Sequence, residues 1–597
     1  MDERNSMMKK LLKNNKSKLL LNLIITILFI IGFNFYFFYN DILGRQSIFN
    51  ILLFFLIFTF LNRTIEIKTK EKIVPIILGV IISLALLIGQ QIYLTNDISI
   101  MLHSKKTILI IFLSLIGFSM VIGEILFYMF RLLKNYKFKK EKQWKFFTKK
   151  RIFLILWILI FLSWIPAFLA YYPGIMSYDS GTQLSEIFVG PYTKYHPPIH
   201  TYMFQLCIQL GNVLKVEGLA IYSIIQMLFL SFVFAKMIKF LIDKKINNYI
   251  VLFSLLFVTI NPVIAIFSMI KTKDVFFAGF FILVVLELLK LIEHPQEYLK
   301  SIKRWIAFIL IIVLACLFRN NCIYAYICFV PILLIVLRKH LKQILILSLI
   351  PIGLYLLINN GLYNSLGIKE GDSREKLSVP IQQISYTVIK HDKKLDKKTK
   401  EKINNYIPYD TIINKYNPRF VGLIKFEFKT EYYNKNKTDF YKLYFKGLTK
   451  YPEEYISSFL SLNLPYWYPD ANTLDKYSQR IYIETGNYRN DYYIVPRDSK
   501  IPFLYKQYEK VANYSAFEKI PIIANIFSIA TPIWVMLFVM FLLIYKKKYK
   551  YTLITIFLII FWLTYILGPV SNFRYIFPIY SLYPILFTLG LNTNRFE

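Results

Sequence analysis

Cysteine is scarce in this chain of 597 residues, and the positions of its cysteines argue against a disulfide framework. All four lie within or beside apolar segments: Cys207, Cys316, Cys322 and Cys328. The largest polar segment, residues 359–521, has none. Disulfide scaffolds and thiolate metal sites need several cysteines at regular spacings. The sequence therefore predicts neither kind of site outside the membrane.

Common catalytic motifs are also absent. The sequence contains no GxGxxG, no Walker loop and no GxSxG. The first two supply backbone that binds phosphates, and the third presents a nucleophilic serine. Nucleotide hydrolysis and serine-hydrolase chemistry therefore have no support in the sequence.

Acidic residues are half as numerous as basic ones, 36 against 72, while 56% of the chain is hydrophobic and the mean hydropathy is +0.46. The apolar residues form many separate runs near bilayer-spanning length, which indicates an integral membrane protein. The Lys and Arg residues cluster in the short loops between these runs. That pattern is typical of cytoplasmic loops and anionic lipid headgroups, so we expect membrane lipid and no nucleic acid as a partner.

The runs predict an all-α polytopic membrane protein with about fourteen transmembrane helices. They are residues 19–38, 48–62, 73–94, 107–130, 152–170, 219–241, 249–269, 274–292, 304–318, 322–338, 343–358, 522–544, 551–568 and 574–592. The first run follows a basic start, is long, and lacks a small-residue cleavage site, so it is expected to be a retained anchor.

Loop charges predict the orientation. The linker 131–151 contains many lysines and one acid, Glu141, and is therefore expected to be cytoplasmic. Counting from it places these polar stretches outside: 171–200, 271–274, 319–321, 359–521 and 568–574. The count requires that 199–214 be an interfacial or re-entrant helix. The alternative is that 199–214 spans and that a short segment elsewhere has been miscounted.

The chain accordingly divides into four parts. Residues 1–150 form an N-terminal four-helix membrane segment, interpreted as structural or partner-binding, and residues 151–358 form the membrane core. Residues 359–521 form an extracellular domain, mixed or α-helical, and residues 522–597 supply three more spans. Within the domain, 465–470 (PYWYPD) is expected to expose aromatic faces, either for sugar or lipid rings or as ordinary surface.

The candidate active site is the loop 171–200, YYPGIMSYDSGTQLSEIFVGPYTKYHPPIH. Its mixture of acids, hydroxyls, histidines and helix breakers is not needed to bury apolar surface. Ser180 and Gln183 have the spacing of a capping box, which predicts a short helix. Asp179 would project from its first turn, with Gln183 and Glu186 on the same face.

Three cationic positions accompany this loop on the same predicted face. Lys271 and Lys273, beside Asp274 at a helix start, suit a phosphate, or else form a solvated loop with a capping acid. Arg319 precedes Asn320 within an apolar stretch, which favours a polar cavity over simple snorkelling. Arg574 and Tyr575 begin the last span, and a guanidinium suits a phosphate ester. Together these groups could hold an anionic lipid headgroup beside a general base.

Metal ligation has weaker support. His196 and His200 are four residues apart, but Pro197 and Pro198 break the helix that such a pair requires, and no HExxH motif is present. A divalent cation shared by Asp179 and Glu186 stays open as an alternative. The sequence predicts no metal site and no cofactor.

Three of these stretches together resemble the GT-C superfamily, the polytopic glycosyltransferases that use polyprenyl-phosphate sugars, as in the protein O-mannosyltransferase and aminoarabinose-transferase branches. The resemblance covers residues 150–592 and rests on three matches: Tyr172-Pro-Gly…Asp179-Ser180…Gln183…His196-Pro-Pro, Lys273-Asp274, and Arg574-Tyr575…Pro578. The sequence departs from many members in having Ser180 where they carry a second acid. It also places its soluble domain between the eleventh and twelfth spans.

The resemblance implies an inverting glycosyltransferase of the cell membrane that moves a sugar from a polyprenyl-phosphate donor to a glycan, lipid or protein acceptor. Asp179 would be the catalytic base, and Arg574, with Lys271, Lys273 or Arg319, would hold the donor phosphate. The predicted substrate-binding set is Tyr172, Ser180, Gln183, Glu186, His196, Lys271, Lys273, Asp274, Arg319, Asn320, Arg574 and Tyr575. A flippase for lipid-linked glycans and a non-catalytic lipid-binding relative are the competing hypotheses. The absence of internal repeats and of midplane polar residues favours the enzyme over the flippase.

Overall fold

The structure of the protein is a computed structural model, which describes residues 2–38, 47–63, 69–136, 138, 142–177, 179–470, 480, 489–490, 493–494, 497–516 and 520–596. Parts of the predicted cytoplasmic linker, including Glu141, and of the segment 471–496 lie outside the described residues. The described chain is almost wholly helical, which confirms the all-α prediction.

The membrane part begins with α1 to α5, which are Asp2–Phe38, Ser47–Arg63, Thr69–Thr95, Ser99–Leu102 and Lys105–Asn135. The core follows with α6 to α17, which are Ile152–Ala170, Ser180–Phe188, Pro198–Leu214, Gly218–Asp243, Asn248–Thr259, Pro262–Phe267, Lys273–Glu293, Pro295–Lys300, Ile302–Phe318, Asn321–Val336, Leu341–Leu356 and Tyr363–Ser365.

The extramembrane part contains α18 to α24, which are Ser378–His391, Lys397–Asn404, Tyr409–Lys415, Gly422–Lys425, Thr430–Lys435, Lys437–Lys450 and Pro452–Trp467. A two-stranded antiparallel ribbon, β1 (Arg489–Asn490) with β2 (Tyr493–Ile494), follows them. The chain ends with α25 to α30, which are Pro502–Ala512, Pro521–Phe527, Thr531–Tyr545, Thr552–Leu563, Phe573–Tyr580 and Tyr583–Asn592.

Eight helices in the described residues are long and apolar enough to cross a membrane, so the chain is a multi-pass membrane protein. They are Lys16–Phe37, Lys70–Thr95, Lys105–Asn135, Ile152–Ala170, Gly218–Asp243, Lys273–Glu293, Arg338–Ser365 and Tyr549–Leu567. Each coincides with one of the fourteen predicted spans.

Several other predicted spans are short or broken, and proline accounts for three breaks. Residues 249–269 form two helices because Pro262 begins the second one. Pro532 likewise stands at the start of α27, and Pro584 at the start of α30. Proline lacks the N–H that a continuing helix needs, but it is favoured in a first turn. The last span is therefore a pair of helices bent by 42°.

Helix α8 crosses one end of α9. The Nε2 atom of His200 lies 2.6 Å from the Tyr222 hydroxyl, and a Cβ on Gly211 would lie 2.6 Å from the Cα of Gly218. The two contacts are about 16 Å apart along α8 but only about 6 Å apart along α9, at the usual helical rise. The two helices therefore cross at an angle and do not run side by side.

The segment 359–521 has two parts in the structure. Helices α18 to α23 enclose a core of their own, in which Ile381, Ile407, Ile412, Ile424 and Phe440 are fully buried. Helix α25 instead packs on the membrane core through Leu504, Tyr505, Tyr508 and Val511. In its described residues the domain is thus helical apart from the ribbon, and its compact part ends before α25.

The expectation that 465–470 exposes its aromatic rings was wrong, because Tyr466 and Tyr468 are fully buried. The Tyr468 hydroxyl lies 2.7 Å from that of Tyr36 in α1 and donates to Gln90 in α3. The N-terminal segment therefore covers this stretch. Lys390 also pairs with Asp97 across the same junction, at 2.6 Å.

Candidate functional site

The first loop is joined to the start of α12 through its backbone. The N–H of Ile175 donates to the carbonyl of Met269 at 3.1 Å, and the N–H of Lys271 donates to the carbonyl of Ile175 at 2.9 Å. Thr272 then caps α12, so that Lys273 and Asp274 occupy its first turn. The bridge brings Asp179 beside that turn.

A second set of contacts fixes the start of α29. The N–H of Asn572 donates to the Tyr466 hydroxyl at 3.0 Å, and the Ser571 hydroxyl donates to the carbonyl of Leu462 at 3.1 Å. The side chain of Asn572 accepts the N–H of Arg574. Helix α24 of the extramembrane part thus determines where Arg574 lies.

The start of α12 and the start of α29 both lie beside Asp179. Its Oδ2 atom accepts hydrogen bonds from Lys273 Nζ and from Arg574 Nη1, each at 2.9 Å. The Nδ1 atom of His196 lies 3.6 Å from the same oxygen. The Asp179 side chain is 21% exposed, so the contacts are partly shielded from water.

The ion pairs continue behind this contact. Arg574 Nη1 lies 3.9 Å from Oδ2 of Asp274, and Asp274, fully buried, pairs with Arg319. We call these five residues, Asp179, Lys273, Arg574, Asp274 and Arg319, the charged cluster. Its three cations and two carboxylates leave a net charge of +1, a surplus that suits an anion.

Tyrosine rings pack against the two guanidinium groups of the cluster. The Arg319 guanidinium lies 4.8 Å from the centroid of Tyr575 and 5.2 Å from that of Tyr565. The Arg574 guanidinium lies 4.7 Å from the Tyr575 centroid and donates to its hydroxyl at 2.8 Å. Such cation–π contacts hold the guanidinium planes in place.

The electrostatics of the cluster keep Asp179 ionised. Burial raises the pKa of this carboxyl, but Arg574 and Lys273 outweigh it and hold the pKa well below its usual range.

Burial, reinforced by Lys273, lowers the pKa of His196 to about 3, so its imidazole is neutral at physiological pH. Because Nδ1 of His196 accepts from Lys273 at 3.1 Å, its proton is assigned to Nε2. That buried Nε2 has no hydrogen-bond partner among the described residues.

Gln183 supports the loop from behind. Its amide donates to Thr201 at 2.9 Å, and its carbonyl oxygen lies 2.8 Å from Nδ1 of His200. His200 continues to Tyr222, which donates to Gln226 at 3.1 Å. This chain of buried polar groups fastens α7 to α8 and α9.

Ser180 and Glu186 also bond within the loop. The Ser180 hydroxyl donates to the carbonyl of Ser177 at 2.5 Å, and Asp179 occupies the position before the helix, so the predicted capping box does not form. Glu186 accepts the Thr193 hydroxyl at 2.5 Å. Burial raises the pKa of Glu186, although Thr193 opposes that rise. Asp179, Gln183 and Glu186 were predicted to share one face of the short helix, but each of them belongs to a different hydrogen-bond network.

Three predicted residues lie apart from the charged cluster. Lys271 is fully buried and donates to the carbonyl of Pro173 at 3.0 Å. Tyr172 packs on Phe168 and beneath Lys500. Asn320 accepts from Tyr355 at 3.4 Å. Their observed contacts are structural.

Sequence reasoning missed two tyrosines. Tyr195 places its ring 4.3 Å from that of His196, and Tyr565 stacks on Tyr575 and contacts Arg319. Tyr195 could have been found as the neighbour of a candidate histidine. Tyr565 lies inside a predicted span and gave no signal. Within the described residues, no three His, Cys, Asp or Glu side chains come together as a metal site.

The fold and the cluster define a multi-pass, all-α membrane protein with buried ion pairs where α12, α14 and α29 begin or end. Residues 191–595 match DUF6020, described as a family of unknown function, and the chain belongs to that family. The matched range contains Lys273, Asp274, Arg319 and Arg574 and starts after Asp179. No match to the chain is found among curated proteins or among solved structures.

The burial of Lys271 predicts a distinctive pH dependence of stability. Burial, opposed by Glu217 and reinforced by Arg497, lowers its pKa to about 7. The unfolded chain keeps this lysine protonated up to about pH 10. Because the unfolded state then binds the extra proton, stability should rise between about pH 7 and pH 10.

Lys271→Met should flatten that rise, as measured by thermal unfolding of the detergent-purified protein at a series of pH values. The exposed Lys442 provides a matched control, since Lys442→Met should keep the wild-type slope. Equal slopes for Lys271→Met and the wild type would contradict the assignment.

Proposed function

We propose that this protein is a membrane glycosyltransferase that moves a sugar from a polyprenyl-phosphate donor to a hydroxyl of a cell-envelope acceptor. The observation that carries the proposal is the contact of Asp179 with both Lys273 and Arg574 at 2.9 Å, with Arg319 and Asp274 behind it. A carboxylate and fixed cations are what this transfer requires side by side.

In the reaction, the acceptor oxygen forms a bond to the anomeric carbon of the sugar while the bond from that carbon to the phosphate oxygen breaks. The acceptor proton goes to Asp179, and the electron pair of the broken bond goes to the departing polyprenyl phosphate. Charge therefore accumulates on the phosphate in the transition state. Lys273 and Arg574 stabilise it there, as preorganised donors do at other developing anions.

Attack from the face opposite the phosphate inverts the anomeric centre. Arg574 suits the phosphate because its guanidinium offers several donors and stays charged at any relevant pH. Its position is reinforced by Tyr575 and Asn572. Asp274 and Arg319 serve as the buried support that keeps this guanidinium oriented.

We also propose fourteen spans and an external site. The eight long apolar helices are joined in this count by α2, α10 with α11, α14, α15, α27 and the bent pair α29–α30. Lysine- and arginine-rich loops then fall on one side of the membrane, with the charged cluster and the extramembrane domain on the other. The cluster would face the outer leaflet, where lipid-linked donors and wall glycans meet.

The test is transfer of labelled sugar by the purified protein in lipid nanodiscs, supplied with a panel of polyprenyl-phosphate sugars and envelope glycans. Lys273→Met and Arg574→Met should each raise the donor KM about 10-fold to 100-fold, because each removes a hydrogen bond to a charged group worth about 1.5 to 3 kcal/mol. Lys442→Met is the control and should leave KM unchanged.

Unchanged donor KM in both variants would contradict the proposed phosphate site. Movement of a fluorescent lipid-linked glycan between leaflets without any transfer would instead support the flippase hypothesis.

A further inference from the structure

The two cations proposed to bind the donor phosphate are already occupied by Asp179. Both Lys273 and Arg574 bond to one oxygen, Oδ2, at 2.9 Å. The ammonium of Lys273 also donates to His196, and Arg574 donates to Tyr575. An incoming phosphate therefore meets donors whose hydrogen bonds are directed at a carboxylate.

The same contact makes Asp179 a weak base. A carboxylate held by two cations gains little by accepting a proton, because protonation would sacrifice both ion pairs. The proposed reaction needs the opposite, a carboxylate free to take the acceptor proton. The two requirements conflict for as long as Asp179 stays where it lies.

Burial distinguishes the two carboxylates of the cluster. The Asp274 side chain is 0% exposed and is held by Arg319 and by the Thr272 hydroxyl at 3.0 Å. The Asp179 side chain is 21% exposed and stands just before the first turn of α7. Asp179 is therefore the carboxylate that can rotate away while Asp274 continues to orient Arg574.

We propose that Asp179 occupies the phosphate subsite in the resting protein and that the donor phosphate displaces it from Lys273 and Arg574, which frees it as the base. This inference rests on the proposed function. A polyprenyl-phosphate sugar is a phosphodiester with one negative charge, the same charge as the Asp179 carboxylate that it would replace on Lys273 and Arg574. The base would thus become active only when a donor is bound, and the empty site would be occluded by its own carboxylate.

The experiment measures binding of geranyl phosphate, a short prenyl phosphate, to the full-length protein in nanodiscs by isothermal titration calorimetry. Asp179→Asn removes the competing charge without changing the size of the side chain. It should bind geranyl phosphate at least about tenfold more tightly than the wild type, which corresponds to about 1.4 kcal/mol. Asp179→Ala, a second variant, should show the same direction.

Glu370→Gln is the matched control. Glu370 is also an ion-paired carboxylate, bonded to Lys194 of the first loop, but its side chain is 75% exposed and it does not contact Lys273 or Arg574. Its removal should change the affinity less than twofold. Size-exclusion chromatography and thermal unfolding verify that each variant is folded.

Three outcomes overturn the inference, and the first two differ in whether the proposed phosphate site is retained. If the wild type binds geranyl phosphate, Arg574→Met does not, and Asp179→Asn binds no more tightly than the wild type, the occlusion is wrong but the phosphate site remains. If neither the wild type nor the Asp179 variants bind, both the occlusion and the proposed phosphate site are wrong. Equal tightening by Glu370→Gln would also overturn it, because a general charge effect would then explain the gain.

Discussion

Replacing Asp179 by asparagine lowers kcat for sugar transfer by about 100-fold to 10,000-fold, the range that a positioned general base contributes. Asparagine has nearly the same size but cannot accept the acceptor proton at neutral pH. The donor KM should fall, because the cations that bind the phosphate are retained and lose their competitor. The measurement is steady-state transfer in nanodiscs over a range of donor concentrations.

This separation of kcat from KM distinguishes a base from a merely structural residue. Misfolding or loss of loop position would raise the donor KM as well as lowering kcat. Glu370→Gln, which removes a carboxylate that pairs with the same loop, should keep both constants within about twofold. Full transfer activity in a folded Asp179→Asn protein would contradict the assignment of the base.

Replacing Arg319 by methionine should destabilise the protein by about 3 to 5 kcal/mol, the usual cost of removing one partner of a buried ion pair. Asp274 is fully buried, and its remaining cation, Arg574, is 3.9 Å away. The variant would leave this carboxylate without its closest charge partner. The measurement is the free energy of unfolding in mixed micelles of detergent and denaturing surfactant.

A double variant tests the cause. Adding Asp274→Asn to Arg319→Met removes the orphaned charge and should recover a large part of the lost stability. The guanidinium of Arg304, near the other end of α14, lies 5.5 Å from the centroid of the Tyr298 ring, and Arg304→Met should cost less than about 1 kcal/mol. An Arg319→Met protein as stable as the wild type would show that the buried pair does not hold this end of the bundle.

The central part of the site could be predicted because charge is costly inside a membrane. Lys273, Arg319 and Arg574 each stand at the end of an apolar run, and Asp179 lies in the polar loop that follows another. The count of spans placed all four on one face of the membrane. The structure brings them together although 395 positions separate Asp179 from Arg574. The charges of the loops therefore indicated which distant residues lie on the same face, whereas the local sequence pattern around each residue did not.

The direction of individual side chains depends on contacts with distant residues, which the neighbouring sequence does not indicate. Lys271 and Lys273 are two residues apart, yet the bridge to Ile175 directs the first into the protein interior and the turn of α12 directs the second toward Asp179. The spacing of Ser180 and Gln183 suited a cap, but both side chains found stronger partners in Ser177, Thr201 and His200. Competing hydrogen-bond partners decide such cases.

The packing of separate parts was the least predictable feature. The residues around Tyr468 predict that its side chain is exposed. The packing of α1 and α3 against the end of α24 buries it instead. Tyr565 was hidden in an apolar run, although its ring faces Arg319. Both errors arose because the partner of each side chain lies far away in the chain.

An experimental structure of the protein with polyprenyl phosphate in a nanodisc tests the central claim most directly. The account predicts phosphate oxygens about 2.7 to 2.9 Å from Lys273 Nζ and from the Arg574 guanidinium, the distances of charge-assisted hydrogen bonds, with Asp179 rotated away from both. A phosphate bound elsewhere, while Asp179 still contacts both cations, would contradict it.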